Sequence, residues 1–516
     1  MIEVLTAGWS SFFGVNQILL TSFGVFLGLL LGVLPGVGPM LGMIVFMPIT
    51  FYLEPVTGMG LLIGIFVGGA CGGAISAILL RIPGTPIAAA TLLDGYPMAQ
   101  KGQAPKAVGL AITSSSIGGL IAGVFLIFLA PLLAKVAINF GPAELFSLAF
   151  LGLISIAVVG DSTIKGLMAG CLGLLVASIG SDPFVSEFER FTFGQPNLLG
   201  GINLIAILVG LFALSEAIYQ IEKGVEELNK STNIKAFRPP IIYSLKACLQ
   251  KWVTTLRSGL IGTFIGALPG AGMVISAFLA YATTKAISKN PENFGKGEPE
   301  GVIATEAANN ACGGGALIPT LALGIPGEAL AAILLSAMIM LGTFPGPTLF
   351  RDYPGVAGGI FMAFIVSNII LFILGILFTP FFVSMLKLKS SRLIPLVLLI
   401  AMVGTYAIQF STYDLQMMML FGVIGYFLRK QGFPLAPIII AYVLGPLVEN
   451  NIRMSLMVSD NGIGIFWSRP IAATIMTINI IVLIWAFAPK QIRNSVTSRI
   501  KFSFGNKVAS SSVSNG

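Results

Sequence analysis

Four short Gly/Pro phrases stand out in this chain, two of them inside long stretches that carry no charge and two beside a charged residue. Gly32-Val33-Leu34-Pro35-Gly36-Val37-Gly38 recurs as Gly266-Ala267-Leu268-Pro269-Gly270-Ala271-Gly272, and Ile82-Pro83-Gly84 recurs as Ile325-Pro326-Gly327. Proline removes a backbone donor and clashes with the preceding turn, whereas glycine adopts dihedrals closed to other residues. A helix broken at such a phrase exposes N–H groups with partial positive charge, which suit an anion. It also exposes carbonyls, which suit Na+ or a protonated group. Pro35, Gly36, Gly38, Pro83, Gly84, Pro269, Gly270, Gly272, Pro326 and Gly327 are therefore candidate substrate-binding positions.

Polar side chains next to these phrases extend the candidate set. Thr85 follows one Ile-Pro-Gly and adds a hydroxyl, while Glu328 follows the other and is the candidate for ion coupling. An ionisable residue within a membrane segment points to function, although a Glu starting a helix also serves as a cap. Asn309 and Asn310 offer amides to a carboxylate or carbonyl oxygens to Na+, and Ser276 offers a hydroxyl. Small polar residues of this kind also pack helix against helix.

Much other chemistry is excluded. The chain has no histidine, which removes His-based triads, HExxH zinc sites and His proton relays. It has no phosphate-binding GxxxxGK[ST] loop. Gly160-Asp161 and Tyr413-Asp414 are fragments of an intramembrane aspartyl protease signature, but a Val replaces the first Gly and their order is reversed. The four cysteines are scattered with no CxxC, so neither a disulfide framework nor a zinc site is expected. No cofactor is expected beyond a coupling Na+ or H+.

The elements that position these residues must be membrane helices. Of 516 residues 56% are hydrophobic and only 10% charged, against roughly 25% charged in soluble domains. Mean hydropathy is +0.94. Val4 to Leu53 contains no Asp, Glu, Lys or Arg, and similar runs recur to Pro489. About 20 apolar residues span a bilayer, which predicts an all-α polytopic membrane protein with about 11 to 13 crossings plus re-entrant pieces. The runs are too long and continuous for a β-barrel. Basic residues concentrate at Lys223–Lys251, Lys387–Arg392, Arg429-Lys430 and the tail beyond Lys490. The positive-inside rule makes these segments, including the C-terminus, cytoplasmic. The N-terminus has Glu3 and no early base, which places it outside, and no removable signal peptide is indicated. Nucleic acid is not an expected partner.

The phrases divide the chain. Ala70-Cys71-Gly72-Gly73 is echoed by Ala311-Cys312-Gly313-Gly314, so three elements recur in the same order. Residues 1–222 are read as a first repeat broken near 34–38 and 82–86. Residues 223–253 are a cytoplasmic connector, and 254–350 are the core of a second repeat broken near 268–272 and 325–328. Residues 351–490 are scaffold helices and 491–516 a cytoplasmic tail. Entry from opposite faces makes the repeats inverted, as in many secondary transporters.

The chain resembles the large permease subunit of the tripartite tricarboxylate transporters. The matching phrases are GVLPGVGPMLGMIVFMPITF (32–51), GGACGGAISAILLRIPGTP (68–86), DGYPMAQKGQA (94–104), GALPGAG (266–272), NPENFGKGEPEGVIATEAANNA (290–311) and GIPGEALAAILLSAMIMLGTFPGP (324–347). The resemblance implies a translocation subunit in the bacterial inner membrane, working with a small membrane subunit and a periplasmic solute-binding protein. It implies secondary uptake of carboxylates such as citrate on a Na+ or H+ gradient, and possible elevator-type motion. Arg81, beside one phrase, is the nearest basic partner for a carboxylate, with helix N-termini as the alternative. An ion channel with re-entrant filters and a membrane-embedded enzyme are the competing classes. Saturable gradient-coupled uptake separates the first from a permease, and turnover of a substrate separates the second.

Overall fold

The computed structural model describes residues 1–34, 38–81, 84–159, 162–185, 187–223, 236–268, 272–386 and 410–487, with 398–399, 402–403 and 405–406. Pro35, Gly36, Pro83, Pro269 and Gly270, Asp161, the bases from Lys387 to Arg392 and the tail lie outside the described residues.

The chain is helical almost throughout. Among the described residues the strands are one two-residue antiparallel pair, Gly180–Ser181 with Glu189–Arg190. The first half runs α1 (Ile2–Phe12), α2 (Val15–Val33), α3 (Gly38–Thr50), α4 (Pro55–Leu80), a 3-10 turn (Pro86–Ala89), α5 (Leu92–Met98) and α6 (Ala104–Ala137). α7 (Pro142–Val159) and α8 (Thr163–Ala177) follow, then α9 (Leu204–Leu208), which passes through a π-helical turn (Val209–Leu214) into α10 (Ser215–Lys223). The second half runs α11 (Ile241–Gln250), α12 (Trp252–Gly266), α13 (Gly272–Ile287), α14 (Pro299–Leu323), α15 (Ala329–Met340), α16 (Leu349–Asp352) and α17 (Pro354–Met385). α18 (Thr412–Lys430), α19 (Ala436–Val458), α20 (Ile465–Ser468) and α21 (Pro470–Phe487) complete it.

Among the described residues, four stretches are long and apolar enough to cross a membrane unaided: Val15–Val33, Pro55–Leu80, Leu92–Ala137 and Pro354–Met385. A fifth is a pair bent by 96° around Arg469, and six further apolar helices have only 10–17 residues. The long uncharged runs of the sequence are thus cut into shorter pieces where the Gly/Pro phrases fall.

In each half the two helices that flank the first phrase lie side by side as a hairpin. Phe23 of α2 lies beside Phe46 of α3, with ring centroids 6.4 Å apart, so α3 doubles back along α2. In the second half Arg257 Nη2 of α12 donates to Thr284 Oγ1 of α13 at 3.2 Å, which closes the same hairpin. Glycine seams dock both hairpins. A Cβ on Gly28 or Gly32 would lie 2.4 or 2.6 Å from the Ile65 or Gly69 carbonyl oxygen of α4. On Gly262 or Gly266 it would lie 2.3 or 2.1 Å from the Ala308 or Cys312 oxygen of α14. Only glycine permits backbones to approach this closely, which gives tight van der Waals packing where lipid provides no hydrophobic drive.

The two halves meet head to tail. Asn309 Nδ2 of α14 donates to the Ala70 carbonyl of α4 at 3.1 Å, and one turn later Gly313 meets the Phe66 ring. The residue number rises on one helix as it falls on the other, so α4 and α14 are antiparallel. The α2–α3 hairpin therefore opens at one end of the bundle and the α12–α13 hairpin at the other. The α2 end at Gly32 reaches the level of Gly69–Gly72 and the α12 end at Gly266 the level of Cys312–Ala316, about midway along α4 and α14.

The packing corrects the register of one repeat. The matched phrases set Cys71 against Cys312, but packing sets Gly72, which meets the Leu29 oxygen, as counterpart of Gly315, which meets the Thr263 oxygen. The sequence echo is two residues out of step. α17, assigned to the scaffold from sequence, instead packs on α1, α2, α4 and α6. Gly358 of α17 meets Gly8 of α1 backbone to backbone, and Gly119 of α6 meets Asn368.

Beyond the hairpins, Gly173 of α8 packs on the Ile438 oxygen of α19, and Gly210 packs on the Met418 oxygen of α18. The loop between α8 and α9 is tied down by Asp182, which accepts from the Phe184 and Val185 N–H groups and from Arg453. Those bonds, the Phe184 N–H foremost, hold the Asp182 carboxyl below its ordinary range. Arg190 joins the cluster through Glu449 at 2.6 Å.

Candidate functional site

The second phrase of each half returns to the hairpin tip. α4 ends at Arg81 and α14 at Gly324, both in the left-handed conformation with φ 60° and 69°. Such a C-cap followed two residues later by proline stops a helix sharply. The chain then runs back in extended form: Thr85 has φ −136° and ψ 152°, Glu328 has φ −156° and ψ 176°. Gly84 settles where its Cβ would lie 2.2 Å from the Gly32 carbonyl oxygen. Gly327 settles where its Cβ would lie 2.5 Å from the Gly266 carbonyl oxygen. Each extended strand is thus wedged between the end of the hairpin's first helix and the long helix beside it.

The result is two matching stations near mid-depth. At the first, Thr85 faces Gly38, which begins α3 with φ 69°. At the second, Glu328 faces Met273, whose backbone N–H points at the carboxyl, just after Gly272 begins α13 with φ 71°. Both side chains are buried, Thr85 3% and Glu328 9% exposed. Thr85 Oγ1 and Glu328 Oε1 have no hydrogen-bond partner among the described residues. Glu328 occupies the N-cap position of α15 yet makes no capping bond there; it turns to the neighbouring helix instead.

An unpaired buried hydroxyl or carboxylate oxygen is costly, so these positions invite a partner. The stations differ chemically. The first presents a hydroxyl at the start of α3, where the helix dipole favours an anion. The second presents an acid that itself answers the α13 and α15 dipoles and leaves one oxygen for a cation. The α3 and α15 starts border an apolar gap lined by Met40, Phe212, Ile333 and Ile439, where they meet the α9 region and α19.

The remaining sequence candidates separate. Asn309 lies on the α4–α14 contact with its Oδ1 unpartnered among the described residues. Asn310 donates to the Ser115 carbonyl at 3.1 Å and to Asn368 Oδ1 at 2.6 Å, which knits α14 to α6 and α17. Ser276 donates to the Met273 and Ala308 carbonyls. Arg81 is exposed at the end of α4 with its guanidinium 5.5 Å from the Tyr96 ring centre.

Sequence reasoning missed two residues. Glu306 in α14 is fully buried, accepts from the Thr91 hydroxyl and leaves Oε2 unpartnered among the described residues. Pro299 at the first helical position is the sequence signal that α14 has already begun seven residues before this acid. Asp94, whose phrase Asp94-Gly95-Tyr96-Pro97 has the composition of a surface turn, lies in α5 at 1% exposure. It accepts from the backbone N–H groups of Gly295, Gly297 and Glu298, each at 2.8 Å, and from the Tyr281 hydroxyl at 2.9 Å. The polar 285–300 segment is therefore stitched to the first half.

Residues 18–440 match the family described as the tripartite tricarboxylate transporter TctA family. The "Uncharacterized 52.8 kDa protein in TAR-I ttuC' 3'region" of Agrobacterium vitis is 35% identical over 95% of this chain and 97% of its own length. The "Uncharacterized protein in TAR-II ttuC' 3'region" of the same organism is 35% identical over 44% of this chain and 94% of its own. No solved structure matches the chain.

Proposed function

The chain belongs to the tripartite tricarboxylate transporter TctA family, and from that premise we propose that it is the translocation subunit of a binding-protein-dependent secondary transporter. It imports small carboxylates of the citrate type, driven by a Na+ or H+ gradient. Its setting is the bacterial inner membrane with a cytoplasmic C-terminus. Its partners are a small membrane subunit and a periplasmic solute-binding protein that delivers the substrate.

The observation that supports this reading best is the pair of stations, Thr85 and Glu328, each buried with an oxygen that has no partner among the described residues. Antiparallel halves with broken segments at mid-depth are the usual setting for a transported solute and its coupling ion. The carboxylate sits against the α3 start with Thr85, Gly38 and Gly84. The coupling cation sits at Glu328 near Gly272, Pro326 and Gly327. Pro35, Gly36, Pro269 and Gly270, outside the described residues, keep their assignment from sequence as binding positions, and an elevator-type movement exposes the two stations alternately.

Uptake of radiolabelled citrate into proteoliposomes tests the proposal. The vesicles contain this chain and its small partner, with or without the binding protein, under separate Na+ and H+ gradients. Uptake that needs the binding protein and one gradient is expected; no uptake of citrate or any other carboxylate under either gradient rejects the reading. In the same assay Glu328→Gln is expected to flatten the dependence on the driving ion by about tenfold while KM for substrate shifts by less than about threefold. Unchanged ion dependence would remove Glu328 from coupling.

A further inference from the structure

We propose that Glu306 and Asn309 form a second cation site, separate from both stations, whose occupant is a proton or Na+. The inference deepens the transport reading and rests on it for its role in coupling. The site lies on α14 ten residues before Ala316, against which Gly327 packs, and so about 15 Å along the helix from the Glu328 station.

Two acceptors here lack donors. Glu306 is 0% exposed and its Oε2 has no partner among the described residues; Asn309 is 1% exposed and its Oδ1 has none. They are three residues apart on one helix, hence on one face. The Asn309 amide does not remove the charge: its Nδ2 gives one hydrogen to the Ala70 carbonyl of α4 at 3.1 Å and has the other for Glu306, which still leaves a buried carboxylate without a counter-charge. A single bound cation answers both oxygens at once. A proton on Glu306 donates to Asn309; Na+ is shared between them.

No counter-charge is on hand. Among the described residues no Lys or Arg lies within ion-pair distance of Glu306. The elements packed around it present the Cys71 thiol from α4, the Ser115 hydroxyl from α6 and the Thr91 hydroxyl from the segment before α5. Asp94 and Tyr281 lie about one turn further out, beside Gly301. A bare carboxylate without a cation carries a desolvation penalty of several kcal/mol, which neutralisation removes.

The site is also placed to report its state. Thr91 donates to Glu306, and Thr91 ends the segment that begins at Gly84 and Thr85 in the first station. Asn309 reaches across to α4, the helix against which that station is built. Loading or emptying the site therefore changes what holds the Thr85 strand.

Infrared difference spectra of purified protein in lipid, without substrate or binding protein, test the site directly. The wild type is expected to show a protonated-carboxyl band that is lost at high pH or on addition of Na+, and Glu306→Gln is expected to lack it. Loss with pH alone identifies a proton, and loss with Na+ identifies the metal cation. Identical spectra for the two proteins, or a band that responds to neither, overturn the proposal. If Glu306→Gln fails to insert, Asn309→Ala is expected to shift the same band, and an unshifted band has the same overturning force. In proteoliposomes Glu306→Gln is expected to lower gradient-driven accumulation by about tenfold or more while substrate exchange stays within about twofold. An equal fall in both marks a structural residue and overturns the coupling role. A wild type that moves no carboxylate would reject the transport reading but leave the infrared result to stand or fall alone.

Discussion

Replacing Gly84 or Gly327 by alanine is expected to reduce carboxylate uptake about a hundredfold while the protein still inserts. The added methyl at position 84 would sit 2.2 Å from the Gly32 carbonyl oxygen, and at 327 it would sit 2.5 Å from that of Gly266. Both obstacles are main-chain atoms of helices already locked by a glycine seam, so neither can swing aside as a side chain would. Overpacking of this kind costs about 1–3 kcal/mol. The strand relieves it by backing away, which carries Thr85 or Glu328 out of position, and a shift of about 1 Å at a reacting or binding group costs roughly a hundredfold. Gly170→Ala is the control, since a Cβ there meets nothing within 4 Å. Uptake per inserted molecule is the measurement. Wild-type uptake by Gly84→Ala would mean the strand does not shape the site.

The largest loss of stability is expected from Asp94→Ala. One carboxylate gathers three backbone N–H groups and a tyrosine hydroxyl from the segment leading into α14 and from α13. Removal leaves those donors without their acceptor beneath a buried surface. Bonds to a charged group are worth more than neutral ones, and with partial rescue by water the loss comes to about 3–5 kcal/mol. A lowered unfolding midpoint in detergent, with new proteolytic cleavage within 288–298, is the expected result. An unchanged midpoint would show that the loop is held by other contacts. Asp94→Asn keeps an acceptor for the backbone donors and is expected to fall between the two.

These expectations also mark what the sequence makes legible. Helix ends do so well: Gly324 and Pro326 spell a C-cap, and the paired Leu-Pro-Gly and Ile-Pro-Gly phrases locate the broken segments. Arg81 takes the same left-handed conformation as Gly324 without being glycine, so that turn is legible only from its echo. Register is less so. Glycines spaced along α4 and α14 allow a phrase such as Ala-Cys-Gly-Gly to match two residues out of step, because several alignments pair glycine with glycine. Which helix packs on which is not written locally at all. α6 lies on α14, and α17 lies on α4, so each half is completed by a helix of the other. Glu306 was hidden for a related reason: the polar stretch before it reads as loop, and only the docking of Asp94 onto that loop shows that the acid already lies inside.

The mirrored architecture has a consequence for direction. Two identical inverted halves would look the same from either side of the membrane, and such a molecule would carry its cargo equally well both ways. The geometry of the stations is close to that ideal, down to matching left-handed caps and wedged glycines. Their chemistry is not, since a hydroxyl at Thr85 stands where the other half has the acid Glu328. In the proposed transport the ion gradient sets which way net flow runs, so such broken equivalences bear instead on how differently the two faces hold cargo and ion. Under the proposed reading, Thr85 against Glu328 is the broken equivalence at the stations themselves, and a difference in affinity between the two faces would begin with that pair of side chains.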